Sequence, residues 1–126
     1  MKKTLKKAMA SVVAGVTLAV GMTAMSSNAY WTTKTVYDYS TGTNVGEGYL
    51  SVTSTTVYAT TTRYNSNYFF NTLIDSITGS HYLGQDETGY INYNKCYKRC
   101  HGSGITQARS SHYVGESCES IVMNAG

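Results

Sequence analysis

Three cysteines carry the most reactive side chains of this 126-residue chain: Cys96, Cys100 and Cys118. Within an extended strand Cys96 and Cys100 would lie about 13 Å apart, too far for a bridge, whereas a tight loop would allow one. A bridge from either residue to Cys118 would close a loop of roughly 19 to 23 residues. We therefore expect a Cys96–Cys118 or a Cys100–Cys118 disulfide. The odd thiol is then either buried and inert or the link of a covalent dimer.

Metal and haem chemistry is less well supported by the spacing of these residues. The stretch from Cys96 to His101 resembles a haem attachment motif, but three residues separate its cysteines where that motif has two. A zinc site made of Cys96, Cys100, His112 and Cys118 has suitable ligand types, yet its spacing matches no common zinc pattern. We predict no metal and no cofactor.

Hydrolytic chemistry has only weak candidates. The segment His101-Gly102-Ser103-Gly104 places a serine beside a histidine, but the five-residue nucleophile elbow is absent. Asp86 and Glu87 are adjacent in a predicted turn, where we expect both carboxylates to be solvated. We therefore assign no catalytic residue.

Aromatic residues are the strongest indication of function, because the chain has twelve tyrosines, two phenylalanines and one tryptophan. Tyr93 and Tyr97 interleave with Lys95, Lys98 and Arg99 in a segment that we predict to be a loop held by a disulfide. Tyrosine offers a large contact area with a polar hydroxyl, which suits both sugars and proteins. These five residues are the predicted binding site, and the predicted partner is a cell-surface glycan or protein.

Residues 1–29 have the features of a cleaved secretory signal peptide. Four lysines precede an apolar run from Ala8 to Met25, and Ser27-Asn28-Ala29 supplies small residues at a cleavage site. We expect one secreted domain over residues 30–126, with no stable membrane span after cleavage. That domain has six basic and seven acidic residues, a formal charge of −1, which does not support a protein that binds nucleic acid through its overall field.

The elements that must position these side chains are predicted to be strands. Thr, Val and Tyr are enriched throughout, and proline is absent. We predict a strand at 31–39, two strands or one bulged strand over 48–64, the central strand at 68–77, and further strands at 104–114 and 117–123. Residues 86–89 are a predicted hairpin loop, and residues 94–104 a predicted irregular loop. The predicted fold is all-β, a small sandwich or partly open barrel of about six to eight short antiparallel strands.

In outline the chain resembles the small secreted β-proteins and bacteriocins of Gram-positive bacteria, with a Lys-rich leader and a Thr- and Tyr-rich mature part. The resemblance has no diagnostic motif, so no functional residue is transferred from it. We predict a non-enzymatic extracellular protein that binds a cell-envelope partner through exposed aromatics. The alternatives are a bacteriocin-like antimicrobial protein and, last, a small secreted hydrolase.

Overall fold

The computed structural model describes residues 31–126, and the predicted signal peptide at 1–29 lies outside the described residues. The described part of the chain contains eight strands and no helix. They are β1 Trp31–Asp38, β2 Thr43–Val52, β3 Thr56–Arg63, β4 Phe70–Thr78, β5 His81–Asn92, β6 Lys95–Ser103, β7 Gln107–Val114 and β8 Ser117–Asn124. Every paired strand is antiparallel. The all-β prediction is confirmed.

The strands form two sheets in a sandwich-like arrangement. The larger sheet has the order β1-β2-β3-β6-β5, and the smaller one has the order β4-β7-β8. Alternate residues of both sheets point inward, as the two-residue period of a strand requires. The main core consists of Leu50, Val52, Val57, Ala59, Ile105, Ala108, Ile121 and Met123. The smaller sheet packs on four strands of the larger one: β1, β2, β3 and β6. Strand β5, at the edge of the larger sheet, lies mostly outside the area that the smaller sheet covers.

The stretch from Gly48 to Tyr64 forms two strands, which decides between the two predicted alternatives. Strands β2 and β3 pair directly, and residues 53–55 connect them. Thr53 closes this connection because its amide donates to the carbonyl of Thr56 at 2.9 Å, while its hydroxyl accepts from the amide of Thr56 at 3.0 Å. The predicted strands at 31–39, 104–114 and 117–123 are also confirmed, as β1, β7 and β8.

The predicted central strand at 68–77 is wrong in its position. The corresponding strand, β4, lies at an edge of the smaller sheet. Its apolar residues are divided between the two faces, so that Ile74 packs on the core while Leu73 is exposed. The apolar cluster at residues 68–77 therefore does not belong to a strand that is buried on both faces.

Both predicted loops in the second half of the chain are also wrong. Residues 86–89 lie inside β5, and nearly all of residues 94–104 form β6, an interior strand of the larger sheet. Two ion pairs join the two strands across the sheet. Lys98 Nζ lies 3.0 Å from Asp86 Oδ2, and Arg99 Nη1 lies 2.7 Å from Glu87 Oε1. Opposite charges on paired strands stabilise the pairing, which explains how such polar segments form strands.

Within residues 31–126 there is no helix with the length and apolar character needed to span a bilayer.

Candidate binding surface

The outer side of the five-stranded sheet, away from the smaller sheet, carries a continuous row of aromatic rings. Trp31 of β1, Tyr49 of β2, Tyr58 of β3 and Tyr97 of β6 each contribute one ring. The successive ring centroids lie 6.0, 6.2 and 6.0 Å apart. These distances are in the range at which aromatic pairs attract one another. The row therefore extends across four adjacent strands, and we call it the aromatic row.

The register of the sheet explains how the row forms. Thr60 lies directly opposite Tyr49 on one side and Tyr97 on the other. Tyr58 is two residues away on the same face, so its ring contacts both tyrosines diagonally. Thr60 is only 6% exposed although it lies on an outer face. The rings of Tyr49, Tyr58 and Tyr97 thus cover Thr60, which lies between them.

Strand β5 completes the surface with a glycine. Gly89 lies directly opposite Tyr97, and a Cβ added at Gly89 would lie 3.0 to 3.2 Å from three atoms of the tyrosine side chain. The ring of Tyr97 therefore lies close over the backbone of β5. A larger residue at position 89 would push this ring away from its present orientation.

A guanidinium group lies against the same rings. The Arg99 Cζ is 5.0 Å from the ring centroid of Tyr58 and 5.5 Å from that of Tyr97. Arg99 is held in place because its Nη1 donates to Glu87 Oε1 at 2.7 Å. Burial raises the pKa of Tyr58, and the charge of Arg99 opposes this shift only in part. The phenol is therefore neutral near pH 7 and able to donate a hydrogen bond.

The five predicted binding residues do not form a single patch. Tyr97, Arg99 and Lys95 share the outer face of β6, and the first two belong to the aromatic row and its border. Lys98 faces the opposite side of the sheet and pairs with Asp86. Tyr93 is exposed in the turn between β5 and β6.

Sequence reasoning missed Trp31, Tyr49 and Tyr58 as members of the row. Alternation counted without a break from Leu50 and Val52 would place Tyr58 on the same face as these two residues. Residues 53–55 change the alternation, however, so that Val57 points inward and Tyr58 outward. The break near residues 54–56 was visible in the sequence. Restarting the alternation after this break places Tyr49 and Tyr58 on the same face of the sheet.

The predicted disulfide is absent among the described residues, where all three cysteines are free. Cys96 and Cys100 are buried on the inner side of β6, and Cys118 is exposed on β8 of the other sheet. Because β6 is extended, its two thiols are too far apart to join, as the strand geometry predicts. Burial raises the pKa of Cys96, and burial together with Asp86 raises that of Cys100 to about 11. The loop predicted to be held by cysteine is therefore a strand held by pairing on both edges.

Of the residues considered for hydrolysis, Asp86 and Glu87 form ion pairs with Lys98 and Arg99, and Glu87 thereby holds Arg99 against the aromatic row. His101 Nδ1 is 3.5 Å from Thr56 Oγ1 at one end of β6. A better-formed array lies in the core, where His112 contacts Ser110 Oγ at 2.7 Å and Thr61 Oγ1 at 2.9 Å. These three side chains are fully buried, at 0% exposure, so a substrate could not reach them. This array is a structural network.

Among residues 31–126, no group of three or more His, Cys, Asp or Glu side chains is arranged to hold a metal ion. Comparison of the chain with protein-family models, with curated proteins and with solved structures finds no match. Its function is therefore inferred from its own residues.

Proposed function

We propose that this protein is a secreted, non-enzymatic binding protein whose aromatic row binds a carbohydrate chain of the cell envelope. The observation that carries the proposal is the alignment of four rings from four adjacent strands on the solvent side of the larger sheet. Interior strands, which are paired on both edges, position the two central rings, so the backbone beneath them is fixed before any partner binds. Rigid surfaces lose less conformational freedom on binding, which favours affinity.

The composition of the surface favours a sugar over a protein. Sugar rings have apolar C–H faces and polar edges, and tyrosine and tryptophan combine an apolar face with a polar group. The row is one ring wide, and its outer-face neighbours combine hydroxyl side chains with charged ones: Thr33, Thr35, Ser51 and Thr62, together with Glu47, Lys95 and Arg99. A protein interface normally has a broader apolar centre with a polar rim. A linear chain lying along the row would contact rings and hydroxyls together.

Export is part of the proposal, and its support is the leader sequence at residues 1–29. A bacteriocin-like role would use the same surface to recognise a wall component of a target cell. The two functions differ in outcome, since only the antimicrobial protein kills the cells that it binds.

The test is retention of purified residues 30–126 on isolated bacterial cell walls. Trp31→Ala with Tyr97→Ala removes one end of the row and one interior ring, and we expect retention to weaken about tenfold or more. Tyr64→Ala with Tyr82→Ala is the matched control, because both side chains are exposed tyrosines outside the row. The control should bind like the unmodified protein.

Thermal unfolding of both double variants separates binding from stability. Equal retention of all three proteins would contradict the proposed surface. Release of soluble sugar from the walls would contradict the non-enzymatic role, and clearing of a bacterial lawn would identify the protein as antimicrobial.

A further inference from the structure

A second surface lies at one end of the sandwich, on the other side of the larger sheet. Arg63 ends β3, and its guanidinium lies over the ring of Phe70 from β4, 4.3 Å from the centroid. The ring of Tyr93 is 5.3 Å from the same group. The Phe70 ring also contacts that of Tyr90 on β5. An open cavity of about 460 Å³ is lined by Arg63, Phe69, Phe70, Tyr90, Asn92 and Tyr93.

The guanidinium is held in a fixed orientation by neutral acceptors. Arg63 Nη1 donates to the carbonyl of Tyr68 at 2.6 Å, and Nη2 donates to the carbonyl of Tyr93 at 2.7 Å. Its Nε donates to Asn94 Oδ1 at 3.2 Å. These contacts fasten the segment before β4 and the β5–β6 turn to the end of β3. Because all three acceptors are uncharged, they leave the positive charge of the guanidinium uncompensated.

The electrostatic environment of Arg63 differs from that of the other arginines. Arg99 and Arg109 each lie within 4 Å of a carboxylate, at Glu87 and Asp75 respectively. Arg63 has no carboxylate partner within residues 31–126. Of the five N–H donors of a guanidinium, three are used in the contacts above and two remain. One N–H on Nη1 and one on Nη2 are thus left to donate to an anion, and carboxylates are anions that guanidinium groups commonly bind.

The aromatic walls are also unusual, because Phe69 is 80% exposed and Tyr93 is 74% exposed. Phe69 lines the cavity and the ring of Tyr93 lies beside the guanidinium, so both exposed rings border the site. The cavity therefore combines a guanidinium in a fixed orientation, which has unused N–H donors, with exposed aromatic rings. This combination suits a ligand in which an anionic group is attached to a compact ring. The aromatic walls would contact the ring, and the guanidinium would bind the charged group.

We propose that this cavity is a binding site for a carboxylate carried on a sugar ring, as in a uronic acid. The site does not depend on the aromatic row, which lies on the opposite side of the larger sheet. A ligand of the cavity would bind between the end of β3 and the β5–β6 turn, with its carboxylate on Arg63.

The test is a titration of residues 30–126 with glucuronate, followed by nuclear magnetic resonance of the Arg63 side-chain Nε–H and the Phe69 and Asn92 amides. We expect saturable shifts confined to this cavity. Glucose, the neutral counterpart, should cause no comparable change. Phe69→Ala should weaken glucuronate binding about fivefold, because it removes one wall without touching the hydrogen bonds of Arg63.

Tyr82→Ala is the matched control, since this exposed tyrosine lies near the other end of β5 and should leave binding unchanged. Arg63→Lys keeps the charge but loses the forked donors, so it should weaken binding more than Phe69→Ala does. Equal responses to glucose and glucuronate would overturn the proposal, as would shifts spread over all basic residues. Tighter binding of inorganic phosphate would overturn the assignment to a carboxylate. Because every aromatic-row residue stays intact in these variants, failure here would leave the proposed function unaffected.

Discussion

The imidazole of His112 is fully buried and lies between two hydroxyl groups, those of Ser110 and Thr61. Burial lowers its pKa to about 3; a hydrogen bond with the backbone of Thr60 opposes this shift, and the charge of Lys34 adds to it. The ring is therefore neutral under ordinary conditions. A neutral ring both donates and accepts, and the flanking hydroxyls can satisfy either nitrogen.

This environment predicts that stability decreases in acid. The pKa of a histidine in the unfolded chain is about 6.5, so the unfolded state takes up a proton first as the pH falls. The contribution of His112 is therefore complete above pH 6.5 and is lost progressively as the pH drops toward 3. We expect the free energy of unfolding in urea to be about 2 kcal/mol lower near pH ~5 than near pH ~7.5.

Resonances of the His112 ring provide the control for this prediction. They should not titrate over the same pH interval, because the folded-state pKa lies below it. A ring signal with a midpoint near the unfolded value, or a free energy of unfolding that does not change, would show that His112 is accessible to protons in the folded state.

At the scale of single strands, the sequence identified most strands but not all of their roles. Strands β1, β2 and β3 follow from their Thr, Val and Tyr content, whereas β7 and β8 are poorer in these residues. Strand β6 does not follow from its content, because Lys, Arg, Cys and Gly are typical of irregular segments. Its stability comes from β3 and β5 on either side and from cross-strand ion pairs, which no window of local sequence contains. The same pairing places Lys98 beside Asp86, on the opposite face of β6 from Tyr97 and Arg99.

A close contact between β2 and β7 gives a prediction at this scale. A Cβ added at Gly48 would lie 2.5 Å from two carbon atoms of the buried His112 ring. Gly48→Ala should therefore destabilise the protein by about 1 to 3 kcal/mol, since the ring has no room to move. Gly84→Ala in β5 is the matched control, because no atom lies within 4 Å of its added Cβ.

Urea unfolding of these two variants measures the difference. Gly84→Ala should be neutral or slightly stabilising, because it lowers the entropy of the unfolded chain. If both substitutions had the same effect, the packing of His112 against Gly48 would not be the cause.

At the scale of the whole molecule, the five-stranded sheet presents two different aromatic surfaces. Its outer face carries the aromatic row, and the arginine beside this row, Arg99, is paired with Glu87. The end of its inner face carries the cavity around Arg63, which has no carboxylate partner in the described part of the chain. The large number of aromatic residues that form both surfaces is evident from the sequence. The sequence alone could not predict their separation, which depends on the long-range pairing of β3 with β6.

This difference in charge predicts different responses to salt. Residues 30–126 together have a formal charge of −1, so no strong overall field attracts an acidic polymer. Retention on cell walls through the neutral rings should change less than about twofold between ~0.05 M and ~0.5 M NaCl. Glucuronate binding at Arg63 should weaken several-fold over the same interval, because salt screens an exposed charge. Affinity measurements in matched buffers test both statements. Steep salt dependence on walls would indicate binding to a polyanion, and salt-independent glucuronate binding would show that the guanidinium charge is not used.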